Sequence, residues 1–115
     1  MNKEKVKKEI DELSLLEYNW DSYGAEQFTK KLLNRAKDIS DGLYEKYNDP
    51  QVVPCCSPGI NFEWNHNGNS LEVEVCDSYI VYLKVIGDDD RDWKEGEINS
   101  CEEINEMLEW LYGEK

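Results

Sequence analysis

Apolar residues fall at three- and four-residue steps in the first part of the chain and at two-residue steps in the second. Val6, Ile10, Leu13, Leu16 and Trp20 form one stripe, with Lys, Glu and Asp on the other positions, which predicts a helix over about residues 3–17. Phe28, Leu32, Ala36, Ile39, Leu43 and Tyr47 keep the same period and predict a second helix over about 26–47. Gly42 and the run Asn48-Asp49-Pro50 supply its stop signals. In the connector Asn19 to Ala25, Asp21 and Ser22 can accept backbone hydrogen bonds and Gly24 can take a left-handed conformation. Trp20 and Tyr23 are expected to plug the space between the helices and a sheet.

From Val52 onward the alternation is that of strands. Ile60, Phe62 and Trp64 alternate with polar residues, as do Leu71, Val73 and Val75, and Asn67-Gly68 between them is a favoured two-residue turn. A turn at that pair sets Trp64 opposite Leu71, Phe62 opposite Val73 and Ile60 opposite Val75, so all six share one face. A reversal at Asp77-Ser78 leads into Tyr79 to Ile86, apolar on both sides and so expected to be central or covered on both faces. Asp88 to Asp92 reads as a loop and Trp93 to Asn99 as a short edge strand. Ser100 with Glu103 forms a capping box for a last helix, whose buried stripe is Ile104, Met107, Leu108 and Leu111. The expectation is a single α+β domain over 1–115: two N-terminal helices, a three- to four-stranded antiparallel sheet and a C-terminal helix packed on it.

The same register leaves Glu63 opposite Glu72, with Glu74 beside Asn61, on the outer face. Like charges directly opposite destabilise a sheet, and no packing argument asks for them. Tyr79, Val81, Leu83 and Val85 continue onto that face. Two arrangements follow: the last helix covers Val81, Leu83 and Val85, or they join the glutamates in an acidic and apolar strip suited to a basic, partly apolar partner.

Charge sharpens this picture. The formal net charge is −13, and it is uneven: residues 1–50 hold 9 Lys/Arg against 11 Asp/Glu, whereas residues 51–115 hold 4 against 15. Such a chain repels nucleic acid and anionic lipid and attracts basic protein surfaces over a screening length of ~8 Å at physiological salt. The expected binding residues are Glu63, Glu72 and Glu74 on the outer sheet face, with Asp88, Asp89, Asp90, Asp92, Glu95, Glu97, Glu102 and Glu106 in a negative region along the C-terminal third.

Catalytic and metal chemistry finds little to stand on. Asp88, Asp90 and Asp92 match the first alternate ligands of a calcium loop, but Trp93 stands where its glycine belongs and Asn99 where its bidentate Glu belongs. One His and no Cys-x-x-Cys argue against zinc. His66 reads as a solvated turn residue, and the chain has no phosphate loop or nucleophile elbow. Neither an enzyme nor a cofactor is expected. Cys55-Cys56, Cys76 and Cys101 lack the spacing of a stapled secreted scaffold, and no signal-like or membrane-spanning run occurs, so a cytoplasmic protein with reduced thiols is expected.

The run Asn19-Trp20-Asp21-Ser22-Tyr23-Gly24-Ala25, then Val52-Val53-Pro54, Gly59-Ile60-Asn61-Phe62-Glu63-Trp64 and Leu71-Glu72-Val73-Glu74-Val75, resembles a group of small uncharacterised bacterial and phage proteins. Their pattern is Gly-Trp-Asp-Gly-Tyr-Gly-Ala followed by a Gly-x-Ile-x-Leu-Glu-Trp and Leu-Glu-Ile-Glu-Ile hairpin. Here Asn19 and Ser22 replace two glycines, and the acidic tail after Ile86 lies outside the pattern. The resemblance implies this fold and an intracellular, often mobile-element setting, and carries no activity. Together these readings point to an inhibitor of a basic nucleic-acid-handling protein, of anti-CRISPR or anti-restriction type and able to mimic DNA. An immunity or antitoxin-type protein and a small dimeric housekeeping domain stand as alternatives, and a homodimer stays open. Direct binding to nucleic acid or membrane is not expected.

Overall fold

The computed structural model describes residues 1–55, 58–87 and 92–113. Helix α1 (Lys3–Glu12) starts at Asn2, whose side chain accepts from the Lys5 amide at 3.1 Å, and buries Val6 and Ile10. A 3-10 turn, Leu13–Leu15, ends it, and Leu16 is already extended, so the helix is shorter than the apolar spacing predicts. Helix α2 (Lys30–Asp41) is capped by Thr29, which accepts from Leu32 N at 3.2 Å. Buried Phe28 and Leu33 flank that cap at the positions of a hydrophobic staple.

The predicted continuation of α2 to residue 47 does not occur, although Leu43 and Tyr47 are buried as the periodicity demands. Leu43 N bonds back to Ser40 O at 3.2 Å, tightening the last turn. The Tyr44 amide, which would have carried the helix on, is taken at 2.9 Å by Asn105 Oδ1 from the last helix. A tertiary side chain therefore holds this helix end where local periodicity would extend it.

Five strands follow in a wholly antiparallel meander, β1 (Gln51–Cys55), β2 (Gly59–His66), β3 (Asn69–Val75), β4 (Ile80–Val85) and β5 (Trp93–Glu97), arranged in sequence order. The β2–β3 pairing matches the predicted register residue for residue, with Asn67 (φ 49°) and Gly68 (φ 82°) making the turn. β1 is the addition to the expected three or four strands. Pro54 is tolerated because β1 is an edge, where a missing N–H can face away from the sheet.

Helix α3 (Cys101–Tyr112) begins at the predicted cap, where Ser100 Oγ accepts from Glu103 N at 3.4 Å, but the Glu103 carboxylate accepts from Asn99 N at 3.2 Å, one residue before the Ser100 amide that a full capping box would use. Its stripe, Ile104, Met107, Leu108 and Leu111, joins Ile60, Phe62, Trp64, Leu71, Val73 and Val75 in one core together with the apolar faces of α1 and α2. All three helices thus lie on one side of the sheet. The shortest Cα extent, 22 Å, is that of one sheet and one helical layer.

Candidate protein-binding face

With the helices on one side, no described element covers the opposite face of the sheet. This overturns the expectation that the last helix packs over Val81, Leu83 and Val85, and β4 is covered on one face only. The six large apolar residues of β2 and β3 offer more area to bury than the β4 trio, and α3 has only one apolar stripe to spend. The uncovered face is ordered by register into rungs that run across the strands. One rung reads Val53, Asn61, Glu74, Val81, Glu97, and the next reads Gln51, Glu63, Glu72, Leu83, Glu95. In both, an aliphatic side chain on β4 stands between two glutamates. Ser70, Val85 and Trp93 continue the face, and Trp93 is 50% exposed.

Two shallow grooves mark the relief. One, of about 430 Å³, runs between Glu72, Glu74, Val81, Leu83, Glu95 and Glu97; the other, of about 310 Å³, lies among Leu83, Val85, Trp93 and Glu95.

Glu63 and Glu72 face each other as predicted, and Asn61 explains how the pair is held. Its side-chain amide, buried on this face, donates to Glu63 Oε1 at 3.3 Å and to Glu72 Oε1 at 3.1 Å. A hydrogen bond with Glu72 raises the Glu63 carboxyl above its ordinary value; burial and the charge of Glu72 add to the rise, and Asn61 opposes it. Nearby, Cys76 Sγ donates to Glu74 Oε2 at 3.0 Å. Burial, then Glu74, pushes that thiol up to about 11, so it stays protonated at neutral pH.

No strand position on this face is Lys or Arg. The lysines of β4 and β5, Lys84 and Lys94, are paired on the helix side, where Lys84 Nζ lies 4.9 Å from the Trp110 ring centroid. Burial, with Lys94 adding, lowers the Lys84 pKa. The ion pairs Lys5–Asp49, Lys7–Glu4, Lys7–Asp41 and Lys37–Asp11 all sit in the N-terminal helical part. The charged residues of the strands are thus divided, with five glutamates on this face and Lys84 and Lys94 on the helix side.

Of the acids expected to act together, Glu63, Glu72, Glu74, Glu95 and Glu97 share this face. Asp92 is exposed at the start of β5, and Asp88, Asp89 and Asp90 lie outside the described residues. Glu102 and Glu106 are exposed on α3, in the layer across the sheet, and do not belong to the same array. Val53 and Trp93 join the face although sequence reasoning did not place them there; β1 went unread, and Trp93 needed the β4–β5 register.

The connector Asn19 to Ala25 is a separate, tightly bonded loop. Asp21 Oδ1 accepts from Tyr23 N (2.8 Å) and Ala25 N (3.0 Å), and Asn19 Oδ1 accepts from Gly24 N (2.6 Å). Asn19 and Ser22 both have φ of 66°. Trp20 packs on Phe28 at 6.0 Å as a plug should, but Tyr23 is 92% exposed, which corrects its expected burial: the short loop turns it to solvent. Among the described residues, no group of three or more His, Cys, Asp or Glu is placed to hold a metal ion, and no helix is long and apolar enough to cross a membrane. Comparison with protein-family models, curated proteins and solved structures gives no match.

Proposed function

We propose that this chain is a non-enzymatic binding module whose outer sheet face docks a basic, partly apolar protein surface. The observation that carries this reading is the pair of rungs Glu74–Val81–Glu97 and Glu72–Leu83–Glu95 on a sheet face without a helix over it. Alternating carboxylates and aliphatic groups complement a surface in which Lys or Arg surround apolar side chains. Anionic lipid and nucleic acid would be repelled.

Proteins that handle nucleic acid carry such basic surfaces, because phosphate contacts supply most of their affinity. Blocking one of them, as a mobile-element inhibitor of anti-CRISPR or anti-restriction type would, is the function we infer. The mixed character of the face favours competition for the basic surface over close mimicry of a phosphate backbone, which has no aliphatic component.

The test is capture of host proteins by the chain at low and high salt, followed by the DNA affinity of what is captured. We expect Glu72→Gln/Glu95→Gln/Glu97→Gln to lose capture and Glu102→Gln/Glu106→Gln on α3 to keep it. Captured proteins should lose DNA binding in proportion to added chain. Equal capture by both variants, or unchanged DNA affinity, would rule the reading out.

A further inference from the structure

We propose that the partner's basic segment docks as an extended strand, added antiparallel along the outer edge of β5, which no other described strand pairs, with Lys or Arg at alternate positions. This rests on the binding reading above and specifies what the face would recognise.

The backbone pattern of β5 follows from two hydrogen bonds, Ile86 N to Asp92 O and Ile98 N to Ile80 O, both 2.8 Å. Pairs in an antiparallel ladder alternate, so Lys94 and Gly96 bond to Lys84 and Tyr82, while the N–H and C=O groups of Trp93, Glu95 and Glu97 point away from β4. Those are the residues whose side chains stand on the acidic face. A strand paired there would place a residue directly opposite Glu95, about 5.5 Å away between Cα atoms, with its side chain on the same face. Lys or Arg at that position, and again two residues away beside Glu97, meets opposite charge while the main chain supplies hydrogen bonds.

The intervening residues of the added strand would lie on the other face, beside Lys94 and Gly96. Lys94 disfavours a cation there. At Gly96 the Tyr82 ring lies close over the strand, within 3.1 Å of where a Cβ would stand, and offers an aromatic surface beside the added strand. The recognised pattern is therefore basic and apolar residues in alternation.

The other edge does not offer the same ladder. On β1 the residues turned away from β2 include Pro54, which has no N–H to donate. A second copy of this chain fits β5 poorly, because an antiparallel β5 pair centred on Glu95 sets Glu95 against its own counterpart.

The probe is an end-blocked peptide of alternating Lys and Val, titrated against the wild-type protein. Two controls carry N-methyl groups, one on the Lys residues, whose amides would face β5, and one on the Val residues, whose amides would face solvent. We expect the Lys-methylated peptide to bind about ten-fold or more weakly than the parent and the Val-methylated one to bind like it. Exchange of the Trp93, Glu95 and Glu97 amides should slow only with the peptides that bind. Glu95→Pro should bind the parent peptide more weakly than Glu95→Gln, since both lose the charge but only proline loses the outward N–H. Equal affinity for all three peptides would overturn strand addition while leaving the acidic face intact as the docking surface. Parent-peptide affinity unchanged in Glu72→Gln/Glu95→Gln/Glu97→Gln would overturn the face itself.

Discussion

Asn61 stands between two carboxylates that repel each other, and that small arrangement ties function to stability at the scale of single residues. The folded protein holds the Glu63 proton more tightly than an unfolded chain does, chiefly through its hydrogen bond with Glu72. Its contribution to stability is therefore fully present below the ordinary value of 4.5 and is lost as pH rises through the raised folded value. Above that window the ionised pair is a standing penalty. Glu63→Gln should consequently stabilise the protein by a few tenths to ~1 kcal/mol at neutral pH and by almost nothing near pH ~4. Urea unfolding at the two pH values checks this, and an equal gain at both would refute the shared proton. The facing of Glu63 and Glu72 was legible from strand parity alone. The role of Asn61 was not, because it depends on a rotamer that reaches both neighbours.

At the scale of elements, the helix boundaries show where local signals give way. The Ser100/Glu103 cap and the Asn67-Gly68 turn formed as read, since each involves residues within a few positions of one another. α2 ends at Gly42, one of its predicted stop signals, and Asn105 holds that end by accepting from Tyr44 N at 2.9 Å and donating to Gly42 O at 3.0 Å. Both bonds span more than a third of the chain and clamp α3 to the close of α2. Asn105→Ala should lower stability by about 1–3 kcal/mol by stripping partners from both groups, and faster exchange of the Tyr44 amide in that variant would locate the loss. No change in either would mean water replaces the clamp. β1 was not legible for a related reason: Pro54 interrupts its pattern with a residue that cannot donate a ladder hydrogen bond, and only the pairing with β2 turns its nitrogen to an edge.

For the molecule as a whole, one sheet with helices on a single side leaves a face that must either meet a partner or stay wet. Five glutamates on that face would oppose five more in a face-to-face pair of copies, so the free protein should be a monomer by size exclusion. Val81→Glu should not alter its elution. A dimer that dissociates on this substitution would instead support a housekeeping dimer and displace the inhibitor reading. The sequence by itself determined the kind of every element except β1, the β2–β3 register and the sharing of one face by Glu63, Glu72 and Glu74, because alternation along a strand is a local property of the backbone. It could not decide which face the helices would cover, nor that Glu102 and Glu106 would end up across the sheet from the other acids. Those outcomes come from comparing the apolar area of two sheet faces against three helices at once, a sum over contacts far apart in the chain that only the folded structure carries out.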